Sequence, residues 1–288
     1  MTYKSLSSYF KDEYGGKIKK ICIDGGFTCP NRDGTCSTGG CIFCGGRGAG
    51  EHIEENLSVK EQVLRFFERP SAADGYIAYF QNFTNTYAPL PVLKERYDCA
   101  LIDERIRVLA VGTRPDCITP EIADLLASYK DRVDVFCELG LQTASDATAE
   151  VINRGYRTEV FEDAVRILSA RGIRVVAHIM IGLPGEGMAE LQQMLELINR
   201  LPVWGIKLHS VYVMEGTRLA EMYRKGEYEP ISMEDYVDRA VYFLSHMRED
   251  IVVHRITGDC PRELLVAPEW NVKKNEVIAA IRGRLAKI

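Results

Sequence analysis

Residues 18–50 read IKKICIDGGFTCPNRDGTCSTGGCIFCGGRGAG, an apolar run followed by a loop rich in glycine and cysteine. Ile18 to Ile23 has the length and composition of a buried strand. The next periodic segment, Ser58 to Glu68, reads as a helix with Ser58 as N-cap and Glu61 completing a capping box. The loop therefore joins a strand to a helix. In parallel β/α folds the loops at strand C-terminal ends build the active site. Cys41 and Cys44 form a CxxC pair, the spacing at which a tight turn presents two thiolates to one metal centre, and Cys29 lies upstream. Gly34, Gly39, Gly40, Gly45, Gly46, Gly48 and Gly50 let the backbone close around an inorganic group.

Outward from this loop, strand-like and helix-like segments alternate. Strands are expected at 76–80, 107–112, 133–141, 174–181 and 206–213, with helices at 91–101, 119–130, 158–171 and 187–199 between them. Repeated alternation of this kind means parallel strands with helical crossovers. A full eight-unit barrel usually needs about 250 residues, whereas the sixth strand ends near residue 213. The expectation is α/β: a partial (β/α)6 TIM-type barrel over 1–213, with its cofactor loop at 24–50, and a C-terminal α/β extension over 214–288 packed on that core. In the extension 233–247 and 273–285 read as helices and 251–256 as a strand.

Apolar residues make up 46% and charged residues 27% of the 288, which excludes a disordered or collagenous chain. No apolar run reaches the roughly 18 to 20 residues of a membrane helix, and no secretory signal pattern opens the chain, so a cytoplasmic location is expected. The net charge of -5 argues against a protein that coats nucleic acid. It is unevenly spread: residues 1–23 carry +3 and 270–288 carry +4. Basic ends on an acidic body suit either a phosphate backbone or simple solvation. Nine cysteines cannot all pair, and five of them fall within residues 22–44. A structural zinc site completed by Cys36 or His52 and a thioredoxin-like CxxC are the competing readings of that cluster.

The loop resembles that of the radical S-adenosylmethionine (SAM) superfamily, in the longer first spacing of its Elp3-like members and especially the YhcC/YtqA-like branch. The pattern GGFxCPNRDGTxxxGGCxFC stands here as Gly25 to Cys44. The resemblance continues through AYFQNFTNTY (78–87), VGTRPDC (111–117), ELGLQT (138–143), INRGY (152–156), HIMIGLPGE (178–186), GIKLHSVYVMEGT (205–217) and HRITG (254–258).

This resemblance implies a 4Fe-4S cluster on Cys29, Cys41 and Cys44, with an iron left open for SAM, and reductive cleavage of SAM to a 5′-deoxyadenosyl radical. An external electron donor of flavodoxin or ferredoxin type is implied as partner. Gln81, Asn82, Glu138, Gln142, Arg154 and Gly182 are the expected SAM contacts, Arg154 through guanidinium–carboxylate geometry. Lys207 and His209 alternate with apolar neighbours on the sixth strand and should face the barrel interior, as should His178 on the fifth. These three are the candidate catalytic residues. Burial of Lys207 against Glu138 and a satisfied core role for His178 remain open alternatives, and His254 and Arg255 are expected at the substrate mouth. By the same resemblance the substrate is tRNA, at the wobble uridine, with a 5-carboxymethylaminomethyl-(2-thio)uridine side chain taken toward 5-aminomethyl-(2-thio)uridine. A peptide, protein or small metabolite is the alternative substrate, and a zinc-binding RNA adaptor the non-enzymatic one.

Overall fold

The computed structural model describes residues 3–48, 53–54, 56–69 and 72–288. His52 and Gly50 lie outside the described residues. Along the chain run α1 (Leu6–Tyr14), β1 (Ile18–Ile23), α2 (Val59–Phe67), β2 (Gly75–Phe80), α3 (Leu90–Ala100), β3 (Ile106–Thr113) and α4 (Pro120–Ala127). Next come β4 (Asp134–Gln142), α5 (Asp146–Val151), α6 (Thr158–Ser169), β5 (Arg174–Ile181), α7 (Met188–Arg200) and β6 (Gly205–Ser210). The remainder forms β7 (Val213–Met214), α8 (Arg218–Arg224), α9 (Met233–His246), β8 (Val252–Ile256), β9 (Leu265–Ala267) and α10 (Lys274–Leu285).

The main sheet has seven strands in the order β1-β2-β3-β4-β5-β6-β8, all parallel. The α/β partial barrel is thus as expected, with one addition: the seventh strand comes from the extension and pairs with β6. The strand expected at 206–213 breaks after Ser210, and Val213–Met214 pairs with β9 in a separate antiparallel ribbon. Local periodicity shows a strand at 251–256 but not its partner.

Strand alternation sends one set of side chains outward and the other into the barrel. Outward residues such as Ile21, Leu109, Val135, Ile179 and Leu208 join the apolar faces of the helices in the main core. Below the barrel α1 acts as a plug. Its Ser5 cap accepts from the Ser8 N–H, and its Leu6, Tyr9 and Phe10 pack against Ile77, Val108, Phe136 and Val176. The segment before α1 bridges to the far edge of the sheet, where the Val253 N–H donates to the Lys4 carbonyl at 2.8 Å. Above this apolar floor the interior turns polar.

Candidate functional site

A cavity of about 450 Å³ opens at the C-terminal ends of the strands, within the size range of small-molecule sites. Cys29, Cys41 and Cys44 all line it, together with Gln81, Glu138, Gln142, His178, Lys207 and His209. The cysteine loop is fixed from behind by the INRG turn. Asn153 donates to the Gly40 carbonyl at 2.8 Å, the Ile42 N–H donates to the Ile152 carbonyl at 3.1 Å, and Asn31 donates to the Asn153 carbonyl at 2.6 Å. Gly155, at φ +82, leaves the room that Asn31 needs, since a Cβ there would come within 2.9 Å of its Oδ1. Arg32 straps the loop's far end, donating to the carbonyls of Cys44 at 2.9 Å and Gly45 at 2.6 Å.

Burial, then the neighbouring Cys44 and Cys29, push the Cys41 thiol up to about 12, so as a free thiol it stays protonated at neutral pH and needs a positive partner to ionise. The Asn31 amide points at the Cys41 sulfur at 3.6 Å. Among the described residues no three His, Cys, Asp or Glu side chains converge as ligands of a single ion, and the thiols face a shared space instead. Cys36 stands apart: it is exposed, does not line the cavity, and directs its thiol at Asp116 at 3.9 Å.

Deeper in the barrel lies a buried ionic layer. Glu138 is paired with Lys207, and His178 Nε2 sits 2.9 Å from the same Glu138 carboxylate. The Tyr79 hydroxyl accepts from Lys207 at 3.0 Å. Burial is the largest influence on Glu138 and opposes ionisation, but Lys207 and His178 outweigh it and hold the carboxyl well below its ordinary range. Burial brings Lys207 down to about 7 although Glu138 resists, with Lys20 and Arg255 adding to the fall. Of the two open readings of Lys207, the structure therefore contains the ion pair with Glu138, on a lysine that also faces the cavity. Glu138 in turn has its carboxylate engaged by Lys207 and His178.

The predicted SAM contacts divide. Gln81 and Gln142 line the cavity. Gln142 takes φ +60, a conformation rare outside glycine, at a register shift between β4 and β5. That twist folds its side chain back over Gly140, where the Tyr156 hydroxyl donates to Gln142 Oε1 at 3.2 Å. Asn82 faces away, donating to Asp24 at 2.6 Å. Gly182 also lies outside the cavity. It takes φ +99, a Cβ there would meet Ile231 at 2.8 Å, and its carbonyl accepts from the Tyr228 hydroxyl.

Arg154 is corrected by the geometry. It is fully buried, and its guanidinium donates to the carbonyls of Leu141 and Thr143 at 2.6 Å and of Tyr156 at 3.0 Å, with Asp146 3.5 Å away. No edge is left for a ligand carboxylate. The cations that do line the cavity near the loop are Arg32 and Arg114, which sequence reasoning did not single out. Arg114 is held by Asp116 at 2.6 Å and stacks over Tyr156. His254 is buried among Phe136 and Trp204 and is not at a mouth, whereas Arg255 does line the cavity.

The radical SAM superfamily model matches residues 33–198, and the radical SAM C-terminal domain matches 203–287. The chain is 38% identical to YtqA of Bacillus subtilis (strain 168) over 287 residues, 98% of this chain and 89% of that protein. It is 40% identical to YhcC of Escherichia coli (strain K12) over 258 residues, 89% of this chain and 84% of the relative. A tRNA uridine(34) acetyltransferase of Methanocaldococcus jannaschii is 33% identical over 168 residues, 57% of this chain but 30% of the larger protein. In fold the chain is similar to Methanocaldococcus infernus Elp3, with a TM-score of 0.66 at 18% identity over 93% of this chain and 63% of that one.

Proposed function

This chain belongs to the radical SAM superfamily, and on that premise we propose that it is a tRNA-modifying enzyme acting on the side chain of the wobble uridine. In this reading Cys29, Cys41 and Cys44 hold a 4Fe-4S cluster and Gln81 and Gln142 contact SAM. The observation that carries the reading is that three thiols and a buried ionic layer face one chamber at the strand C-terminal ends. The donor set fits: three soft thiolate ligands leave one iron of a four-iron cluster open, and the Asn31 amide is placed to hydrogen-bond a coordinated sulfur. When bound, such a cluster with SAM supplies one-electron cleavage of the sulfonium and hydrogen-atom abstraction. The chain's own part is to orient, to exclude water and to hold charge. The α1 plug closes the barrel below the chamber, and Lys207, Glu138 and His178 provide a fixed polar wall.

Support for RNA comes from the relatives that act on uridine 34, whose likeness covers a little over half of this chain. The base would have to leave its stack to reach a chamber this deep. The basic termini do meet, with Arg282 Nε donating to the Tyr3 hydroxyl at 3.5 Å. Much of their charge is already engaged, since Lys274 pairs with Asp259 and Arg284 with Asp238 and Glu234. Lys20 lies over the ring of Tyr79, its ammonium 5.1 Å from the ring centre. The test is anaerobic incubation of reconstituted protein with SAM, reductant and bulk tRNA, followed by nucleoside mass spectrometry. Loss of 5-carboxymethylaminomethyluridine with gain of the 5-aminomethyl nucleoside is expected. An unchanged profile beside SAM turnover on a peptide or metabolite would replace tRNA as the substrate.

A further inference from the structure

The chamber wall holds more positive charge than its acids neutralise. Lys207 of β6 and Arg255 of β8 are register partners on adjacent strands, and both line the cavity. Like charges placed directly across a sheet are destabilising. Lys20, on the opposite edge strand β1, does not itself line the cavity but lies over the Tyr79 ring that does, its ammonium 5.1 Å from the ring centre. Against these three cations stands Glu138, already paired with Lys207. Asp259 at the rim does not restore the balance, because it lies 3.7 Å from Arg255 and 3.0 Å from a fourth cation, Lys274. A polar atom is also left without a partner: His209 lines the cavity, its ring is 5.3 Å from that of His178, and its buried Nε2 meets no donor or acceptor.

We propose that Lys207 and Arg255, backed by Lys20 and with His209 as a neutral hydrogen-bond donor, form the seat for a carboxylate carried by the substrate. A carboxylate between Lys207 and Arg255 would relieve their repulsion and gain charge-assisted hydrogen bonds. SAM also carries a carboxylate, but the placement favours the substrate. Arg32 and Arg114 are the cavity cations held at the cysteine loop and at the INRG turn behind it, whereas Lys207 and Arg255 stand on β6 and β8. The seat deepens the function proposed above and rests on the reading of this cavity as the reaction chamber. It selects substrates that bear an acid, such as a glycine-like amino acid side chain on a base.

Titration calorimetry on the full chain, prepared anaerobically with SAM present, tests the seat with two matched pairs. The first pair is N-benzylglycine against N-benzylglycinamide. The second is 5-carboxymethylaminomethyluridine against 5-methylaminomethyluridine. The acid of each pair should bind about tenfold or more tighter than the partner that lacks the carboxylate, the worth of a single charge-assisted bond. Arg255→Gln should reduce that preference to about threefold or less while SAM affinity holds. Arg255 is a third exposed and loosely paired, so its loss strands no buried acid, and Lys20→Gln provides a second variant. Equal affinities within a pair that binds, no binding of N-benzylglycine, or loss of SAM affinity in Arg255→Gln would each overturn the seat. A carboxylate preference for N-benzylglycine with no binding of either nucleoside would keep the seat and remove the uridine.

Discussion

A guanidinium can meet a ligand carboxylate or cap backbone carbonyls, and Arg154 shows how little of that choice is local. The sequence shows an arginine between Asn153 and Gly155; the fold places both neighbours at positive φ and turns the side chain inward to bind three carbonyls. Its structural role is to hold the INRG turn that supports the cysteine loop. Arg154→Lys should therefore lower stability by about 3 kcal/mol, since one ammonium cannot satisfy carbonyls spread around a planar fork. Denaturant unfolding should register that loss while calorimetry finds SAM affinity in the folded variant within about twofold of the parent. Weaker SAM binding at unchanged stability would return Arg154 to the cofactor. The cysteines were legible because their spacing is local. Arg32 and Arg114 were not, because their placement depends on chain contacts 12 and 40 residues away.

Among the elements, those with strong local periodicity were readable. The Ser58 cap with its Glu61 partner forms as the residues imply, and β5 has its expected bounds. Helix α1 passed unread although Leu6, Tyr9 and Phe10 sit at helical spacing, because its apolar stripe is short and flanked by charge. Phe10 stacks on Phe136 with ring centroids 6.4 Å apart, and Tyr9 meets Trp204 edge-on at 5.0 Å. Phe10→Ala should cost about 3 to 4 kcal/mol through lost burial and the cavity it leaves, seen as a lower urea midpoint. A cost below about 1 kcal/mol would mean that α1 is peripheral to the barrel. The pairing of β8 with β6 was beyond reading for a different reason: it joins residues 47 to 48 apart in sequence, and no local signal specifies such a partner.

For the whole molecule, the buried polar layer sets a pH dependence. Lys207 is brought down to about 7, and burial holds His178, His209 and His254 below the ordinary histidine value. The histidines leave the unfolded chain with more protons up to about pH 6.5 and Lys207 does so from about pH 7 toward 10.5, so stability rises with pH by up to about 1.4 kcal/mol per unit for each group within its own window. Glu138 has the opposite chemistry and the same consequence, because its depressed carboxyl stabilises above its ordinary value and that stability is lost in acid. Buried thiols such as Cys137, pushed up by desolvation, reverse the trend above about pH 8.5. Urea unfolding of reduced, metal-free protein should give a larger free energy at pH 8 than at pH 5.5, and a flat profile would contradict the lowered values of Lys207 and the buried histidines. The central claim is that Cys29, Cys41 and Cys44 turn this chamber into a cluster site that SAM enters. Its most direct test is electron paramagnetic resonance of the reduced, reconstituted protein with and without SAM, run on the parent and on single Cys→Ala variants. The parent and Cys36→Ala should show a 4Fe-4S signal that SAM perturbs, whereas Cys29→Ala, Cys41→Ala and Cys44→Ala should lose both signal and iron. A parent signal indifferent to SAM, or a cluster that survives Cys29→Ala and disappears in Cys36→Ala, would contradict it.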